Sequence, residues 1–189
     1  MSRARSDFQP WDPQEFLVWC ESRTDERWEL VDGFPLRMMS GATRRHDTIV
    51  VNILASLRGL LRGRPCRPFT ADGAVQTRDD RIRRPDVGVD CGRTPPGALK
   101  ASETRAVFEV LSPSTQDFDR VRKLAEYQAL ASIRHIVLVS QNEVLATHWF
   151  RGLDGAWIQE ELRSIDDVIR LDAIGVELGL RLVFEDALD

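Results

Sequence analysis

Two carboxylic acids, Asp86 and Glu109, stand inside short runs of otherwise strand-forming residues, Arg-Pro-Asp-Val-Gly-Val and Ala-Val-Phe-Glu-Val-Leu. Each acid alone could simply point to the solvated face of a half-exposed strand, because a lone buried carboxylate is costly. If the two strands pair, both carboxylates approach one point, where a hard divalent cation such as Mg²⁺ would relieve their mutual repulsion. A cation held in this way can activate water and neutralise charge that develops on a phosphate. The two acids therefore predict a candidate metal-dependent hydrolytic site.

Lys123 is the next candidate for chemistry, because lysine is rare in this chain. The sequence has 24 arginines but only two lysines, Lys100 and Lys123. On a helix, Asp119 and Tyr127 would share a face with Lys123, so a surface ion pair with Asp119 is one interpretation, worth only a few tenths of a kcal/mol. The alternative is a catalytic role, since an ammonium can exchange its proton whereas a guanidinium stays charged.

The elements that must position these residues follow from turn signals and from the spacing of apolar side chains. Before the first acid, the sequence predicts a capped entry helix, a hairpin around an Asp-Gly turn, a long amphipathic helix, and two strands around an exposed charged turn at residues 78–84. The entry helix is expected at residues 12–21 and the hairpin at residues 28–31 and 34–39. The long helix is expected at residues 43–61 and the two strands at residues 74–77 and 86–90.

The second half of the chain is predicted to form a strand, a helix, another strand and a hairpin. Ser-Pro-Ser-Thr at residues 112–115 ends the strand that holds Glu109 and caps the next helix. The buried face of this helix is expected to include Phe118, Val121, Leu124, Ala125 and the apolar side of Tyr127. The first strand is expected at residues 106–111, the helix at 115–131, the second strand at 135–140 and the hairpin at 143–150 and 157–162. The tail from residue 165 has no clear pattern. This order predicts a mixed β-sheet flanked by helices, an α/β or α+β fold that occupies residues 1–189 as one domain.

Length and composition exclude several classes of protein. The chain has 189 residues, 42% of them hydrophobic, which suffices for the core of one domain and excludes a disordered chain. No apolar run is long enough for a membrane helix, and the first ten residues lack the apolar core of a secretory signal, so a soluble cytoplasmic protein is expected. The three cysteines, Cys20, Cys66 and Cys91, form no CxxC pair and are expected to be small buried hydrophobes rather than zinc ligands or disulfides.

Charge is distributed unevenly along the chain, whose formal net charge is -4. Residues 41–93 hold 11 arginines against 6 aspartates, a local charge of +5, whereas residues 154–189 hold 3 basic and 10 acidic residues, a local charge of -7. One face of this acidic protein could therefore bind a polyanion, although a solvated run of charge is equally compatible with the pattern. Without a Walker-type glycine-rich loop, a Gly-x-Ser-x-Gly elbow or an HExxH sequence, nucleotide motors, serine hydrolases and zinc proteases have no support.

The sequence around the candidate site resembles the Uma-type restriction endonuclease family over residues 16–150. The matching pieces are Arg-Pro-Asp-Val at Asp86, Glu-Val-Leu-Ser-Pro-Ser at Glu109, the four-residue steps through Asp119, Lys123 and Tyr127, Trp-Glu-Leu-Val-Asp-Gly around Glu29, and His46 at the start of the long helix. That family belongs to the PD-(D/E)XK superfamily, so the resemblance implies a restriction-endonuclease-like core.

The resemblance also implies a role for each residue of the site. Asp86 would be the acid of the PD element and Glu109 the acid of the (D/E)XK element. The usual lysine position, two residues after Glu109, holds Leu111, and Lys123 on the following helix would replace that lysine. Weaker implications are a third acid at the metal (Glu29) and a catalytic role for His46, although a lone histidine at a helix start is more often a cap or a surface residue. The carbonyl of Val110 is a further candidate ligand of the metal.

The expected function is hydrolysis of nucleic-acid phosphodiester bonds, with DNA as the expected substrate and Mg²⁺ or Mn²⁺ as the cofactor. Lys123 would orient or deprotonate the attacking water. Backbone phosphates would be held by arginines of the +5 segment, namely Arg44, Arg45, Arg83 and Arg84. Two alternatives stay open: a catalytically inactive nuclease-fold module that binds nucleic acid or a protein partner, and a hydrolase of small phosphate esters. The sequence is compatible with either a monomer or a homodimer.

Overall fold

The computed structural model of the protein describes residues 9–38, 43–111 and 117–188, with only the backbone described for residues 117–120. The α-helices in these ranges are α1 (Pro13–Glu21), α2 (Arg44–Leu60), α3 (Asp117–Ala129) and α4 (Leu180–Val183). The predicted N-cap of α1 is confirmed, because the Asp12 carboxylate accepts hydrogen bonds from the N–H groups of Gln14 and Glu15. None of the described helices is long and apolar enough to cross a membrane.

The β-strands in the described ranges are β1 (Trp28–Val31), β2 (Phe34–Arg37), β3 (Arg67–Thr70), β4 (Val75–Arg78), β5 (Arg81–Arg83), β6 (Val87–Asp90), β7 (Thr104–Leu111), β8 (His135–Ser140), β9 (Ala146–Arg151), β10 (Trp157–Leu162), β11 (Val168–Leu171) and β12 (Val176–Gly179). Six of them form one mixed sheet in the order β10-β9-β8-β7-β6-β3. Only β7 and β8 run parallel there, and α3 provides the crossover that a parallel pair needs. The predicted mixed sheet flanked by helices is confirmed. The edge strand β3 was not predicted, because Pro68 argues against a strand.

A second, antiparallel sheet has the strand order β2-β1-β5-β4. β1 and β2 form the predicted hairpin, and its turn residues Asp32 and Gly33 have φ angles of 52° and 79°, the positive values that such a tight turn requires. The charged segment 78–84, predicted as an exposed turn, instead contains β5, and the turn itself is confined to residues 79–80. Hydrophobic patterning could not reveal β5 because two of its three residues are arginines.

The largest apolar cluster joins the six-stranded sheet to α2. Ile49, Ile53 and Leu57 recur every four residues on α2 and are wholly buried, in one cluster with Val87 and Phe108 of the sheet. Burial of each such side chain contributes about 2 kcal/mol. The C-terminal tail, which had no clear sequence pattern, adds the hairpin β11–β12 and α4 to the same cluster.

Helix α3 turns polar residues inward. Val121 and Ala125, expected on its buried face, are exposed, with 61% of Val121 accessible. Tyr127 is wholly buried and Leu124 packs against the same apolar cluster, as predicted, whereas Glu126 is buried in place of Val121 and Ala125. The predicted buried face was therefore wrong in part, because the inner side of α3 contacts charged groups of the site as well as an apolar core. The side chains of Phe118 and Asp119 and the predicted cap at residues 112–115 lie outside the described residues.

Cys66 and Cys91 form a disulfide, with their Cα atoms 4.0 Å apart. Cys66 precedes β3 and Cys91 follows β6, and Arg67 lies opposite Asp90 in this antiparallel pair, so the two cysteines face each other. The expectation of unbonded cysteines was therefore wrong for this pair. Cysteine spacing alone cannot show that two strands 25 residues apart are neighbours.

Two buried histidines, His135 on β8 and His148 on β9, form a hydrogen-bonded chain. The N–H of Ala173 donates to His135 Nε2 (3.1 Å), so the proton of His135 lies on Nδ1, which donates to His148 Nε2 (3.1 Å). His148 Nδ1 in turn donates to Glu160 (2.9 Å). Burial lowers the pKa of His135 to about 3 and also lowers the pKa of His148. Both imidazoles are therefore neutral in the folded protein at neutral pH.

Acidification is expected to destabilise the protein through these two histidines. Their ordinary pKa is 6.5, so the unfolded chain takes up protons below that pH and the folded chain does not. Between about pH 7.5 and 5.5, His135 should lower the free energy of unfolding in urea by about 1 kcal/mol and His148 should add to this loss, while protonation of Glu109, whose folded pKa is about 7, acts in the opposite direction. His148→Gln, which can still accept from His135 and donate to Glu160, should therefore lose less stability on acidification than wild type over this pH range. His46→Gln is the control that should not shift the pH dependence in this direction, and an identical pH dependence of stability in wild type and His148→Gln would contradict the prediction.

Candidate active site

Asp86 and Glu109 face each other across paired strands. β6 and β7 run antiparallel with Val87 opposite Phe108, so Asp86, one residue before β6, comes opposite Glu109. The Oδ2 atom of Asp86 accepts a hydrogen bond from the N–H of Val110 at 2.7 Å. The strand pairing on which the sequence argument depended is therefore present, and it brings the two carboxylates together.

The site lies where the chain passes from one sheet to the other. β5 of the four-stranded sheet ends at Arg83, and β6 of the six-stranded sheet begins at Val87. Pro85, which cannot donate a hydrogen bond to a strand ladder, stands in the link that presents Asp86. A cleft of about 1550 Å³ opens at this place, and its lining includes five predicted site residues, Glu29, His46, Arg84, Asp86 and Lys123.

His46 lies beside Asp86 in the first turn of α2. Its Nε2 atom is 3.4 Å from Asp86 Oδ2, and its backbone N–H donates to the capping hydroxyl of Thr43 (3.2 Å). The hydrogen bond with Asp86 raises the pKa of His46, although burial acts in the opposite direction. The imidazole therefore tends to carry a positive charge next to the carboxylate, and the structure brings it together with the predicted acids.

Glu109 is held by Tyr127 and surrounded by negative charge. The hydroxyl of Tyr127 donates to Glu109 Oε1 at 2.8 Å. Burial is the main reason that the pKa of Glu109 rises to about 7. The negative charges of Asp86 and Glu29 also raise this pKa, while the ammonium of Lys123 lowers it. Burial raises the pKa of Tyr127 as well, so its hydroxyl remains a donor.

Lys123 points from α3 toward Glu29 on β1. Its Nζ atom lies 3.2 Å from Glu29 Oε1, and only 16% of the Lys123 side chain is exposed. Glu29 Oε1 also accepts from the N–H of Arg84 (3.1 Å), and Glu29 Oε2 accepts from Arg83 (2.8 Å). Both carboxylate oxygens of Glu29 are therefore engaged by donors. This arrangement does not support the interpretation of Glu29 as a third metal ligand.

The donor chemistry at Asp86 and Glu109 fits a hard divalent cation. Both side chains offer oxygen, and the raised pKa of Glu109 reflects burial and negative charge that a cation would offset. Among the described side chains, no three His, Cys, Asp or Glu residues converge into a ready-made ligand group. Two carboxylates would leave most coordination positions to water and substrate oxygens, as is usual for Mg²⁺. The carbonyl of Val110 stays a predicted ligand.

The sequence and fold match those of known proteins. The model of the Uma2 family, described as "putative restriction endonuclease", matches residues 13–182. The chain belongs to the Uma2 family. An uncharacterized protein from Synechocystis sp. is 28% identical over 177 residues, which cover 91% of this chain and 90% of that protein. The crystal structure of a "putative nuclease belonging to DUF820" from Anabaena variabilis covers 95% of this chain and 100% of its own, with a TM-score of 0.71 and 16% identity, which shows a shared fold.

Two of the arginines predicted to hold phosphates, Arg83 and Arg84, are engaged inside the Uma2 fold. Arg83 is wholly buried, and its guanidinium is bonded to Glu29 and Glu126. The prediction for Arg83 was therefore wrong, because a guanidinium enclosed by protein cannot reach a phosphate. Arg84 is partly buried and donates to two backbone carbonyl oxygens, although it also lines the cleft. Its role as a phosphate ligand stays a prediction.

The other two predicted arginines, Arg44 and Arg45, are exposed in the first turn of α2. They adjoin His46 in sequence, and the positive end of a helix favours anions. Their role as phosphate ligands stays a prediction. The sequence did not single out Arg67 or Lys100 as binding residues, although both line the cleft of this Uma2 protein.

Two contacts of the site were missing from the sequence-based account, namely Tyr127 with Glu109 and Glu126 with Arg83. The sequence contained a signal for both contacts. Glu126 and Tyr127 follow Lys123 by three and four residues and therefore share its helical face. Their partners could not be found from sequence because β5 itself was not predicted and because the inward face of α3 was assigned to its apolar residues.

Proposed function

We propose that the chain is a single restriction-endonuclease-like domain that hydrolyses phosphodiester bonds of DNA, with Mg²⁺ or Mn²⁺ as cofactor. The observation that carries this proposal is the approach of Asp86 and Glu109 on neighbouring strands, with the Lys123 ammonium close enough to lower the pKa of Glu109. Membership of a family described as restriction endonucleases supports nuclease activity.

Each side chain has a distinct part in this proposal. Asp86 and Glu109 would hold the cation, which supplies positive charge to a phosphate oxygen and makes water more acidic. Tyr127 fixes one oxygen of Glu109 through its hydrogen bond. Lys123 would orient the attacking water and hold or accept a proton at Nζ, while His46 adds positive charge beside Asp86.

A second candidate function is a nuclease-fold module that binds nucleic acid or a protein without cutting. The specific observation in its favour is that the guanidinium of Arg83 is used inside the fold and that Arg84 donates to two backbone carbonyl oxygens. This leaves fewer basic groups for phosphates than the charge of the segment suggests. The candidate site itself favours the enzyme, since both acids and the lysine are present and adjacent.

A cleavage panel separates the two functions. Purified protein is incubated with plasmid, linear duplex, single-stranded DNA and RNA in Mg²⁺, in Mn²⁺ and in a chelator. We expect metal-dependent cutting of DNA by wild type and no cutting by Asp86→Asn, because the carboxylate pair is then incomplete. Binding of nucleic acid without cutting in any metal would identify the module instead. Equal cutting by Asp86→Asn and wild type would mean that the activity does not belong to this site.

A further inference from the structure

The buried guanidinium of Arg83 is the centre of an ion-pair network that extends to the candidate site. Arg83 is wholly buried, and a buried charge is tolerated only when its partners are close and well oriented. Its Nε and Nη2 atoms donate to the two oxygens of Glu126 at 2.7 and 2.8 Å, a bidentate pair. Its Nη1 atom donates to Glu29 at 2.8 Å. Arg83 thus joins two carboxylates that belong to different elements.

Glu126 anchors this network to α3 and to the hairpin β4–β5. Thr77 and Arg81 donate to its carboxylate at 3.1 and 2.9 Å, in addition to Arg83. Burial alone would raise the pKa of Glu126, but the hydrogen bond and charge of Arg83 hold it below its usual range. The Glu126 carboxylate is therefore a permanently charged and fully bonded group.

The network closes into a ring at Lys123. Glu29 bonds Arg83 through Oε2 and Lys123 through Oε1, and Lys123 stands three residues before Glu126 on α3. The ring therefore runs from Lys123 through Glu29, Arg83 and Glu126 and back along the helix. Its four charges alternate in sign and sum to zero. Apolar side chains could join a helix to a sheet at lower desolvation cost, so the use of four charges at this position calls for a reason.

We infer that Glu29, Arg83 and Glu126 are positioning residues that hold the Lys123 ammonium in place, and that Glu29 is the partner of the lysine rather than a ligand of the metal. The inference rests on the proposed function for its catalytic meaning. Its structural part, that Glu29 holds the Lys123 ammonium in place, does not depend on whether the protein cleaves a substrate. Glu29 is the direct contact, and Arg83 acts through it by fixing the opposite carboxylate oxygen.

The test uses the rarity of lysine in this chain. Protein grown with [ε-¹³C]lysine should give two lysine signals, which Lys100→Arg and Lys123→Arg assign by deletion. In metal-free wild type the Lys123 carbon should be ordered. In Glu29→Gln and in Arg83→Met its order parameter should fall by at least about a third, toward the flexible range. Lys100 should not change, and neither lysine should change in the matched control Glu26→Gln, another glutamate that lines the cleft.

Two further measurements separate positioning from a general structural role. Titration calorimetry should give Glu29→Gln an Mg²⁺ affinity within about twofold of wild type, whereas loss of a charged ligand, as in Asp86→Asn, should cost about tenfold or more. In single-turnover cleavage, Glu29→Gln should slow the chemical step roughly 10- to 100-fold at unchanged substrate affinity, and Glu29→Asp should recover part of the rate.

Defined outcomes would overturn the inference. An unchanged Lys123 order parameter in Glu29→Gln would show that Glu29 does not hold the lysine, and a loss of Mg²⁺ affinity as large as that of Asp86→Asn would make Glu29 a metal ligand. If Arg83→Met does not fold, the order parameter of Lys123 in the isosteric Glu29→Gln variant alone tests the inference. If wild type does not cleave any substrate, the proposed function fails, while the order parameter and the calorimetry still test the positioning of Lys123.

Discussion

Replacing Lys123 by arginine is expected to slow cleavage at least about 100-fold while folding and Mg²⁺ affinity stay close to wild type. The substitution keeps a positive charge and hydrogen-bond donors, but a guanidinium cannot give up its proton near neutral pH and is broad and planar where the ammonium is compact. The surroundings of Lys123 leave little room for the larger group, because 16% of its side chain is exposed and Nζ is 3.2 Å from Glu29. Single-turnover cleavage in Mn²⁺ measures the effect.

The second lysine provides the matched control for this substitution. Lys100→Arg changes the same atoms at a position that lines the cleft but bonds to Gln76, and it should cut at the wild-type rate. If Lys123→Arg cuts as fast as wild type, Lys123 is an ion-pair partner of Glu29 without a catalytic role. That result would leave Asp86 and Glu109 to be judged separately.

Neutralising either acid of the pair is expected to weaken Mg²⁺ binding at least about tenfold at pH 8 without unfolding the chain. Asp86→Asn and Glu109→Gln each remove an anionic ligand but preserve side-chain shape. In metal-free protein, Glu109→Gln should also be more stable than wild type at pH 8, by roughly 2 kcal/mol. The sign follows from a folded pKa of about 7 against an ordinary value of 4.5, because ionisation of Glu109 above these values costs the folded state free energy.

The same raised pKa links metal binding to pH. Below about pH 7 a proton occupies Glu109 in the metal-free protein and competes with the cation. The Mg²⁺ affinity of wild type should therefore fall by up to about tenfold per pH unit below pH 7 and stay level above it. Calorimetric titration from about pH 5.5 to 8.5 measures this, with Asp72→Asn, an exposed aspartate of the cleft, as the control. An Mg²⁺ affinity equal to that of wild type in both Asp86→Asn and Glu109→Gln would rule out a metal site at this pair of acids.

The pair of acids was predictable because its signals are local. Each acid interrupts a run of strand-forming residues, and Asp32-Gly33 and the period of α2 mark the neighbouring elements without reference to distant parts of the chain. Pairing of the two strands was a condition of the sequence-based prediction, and the structure supplies both the pairing and the register that places Asp86 opposite Glu109.

The rest of the site depends on contacts between residues far apart in sequence. Arg83 looked like a solvated cation because its neighbours are charged, and only the packing of β5 against β1 and α3 shows that its partners are Glu29 and Glu126. The predicted orientation of α3 was wrong at Val121 for the same reason, because the period of the apolar residues assigns Val121 to the interior, whereas it is exposed. In both places charged groups satisfy one another inside the protein, which hydrophobic patterning cannot represent.

Helix α3 forms one wall of the site and is restrained there by two contacts. Lys123, Glu126 and Tyr127 lie within five consecutive residues, little more than one helical turn. The anchor of Glu126 on Arg83 and the bond of Tyr127 to Glu109 therefore restrain the same turn that carries the lysine. The amine can leave its place only by changing its own rotamer or by a movement that breaks both anchors together. This wall is consequently preorganised, and any adjustment of the cleft to a bound molecule is expected on its opposite side.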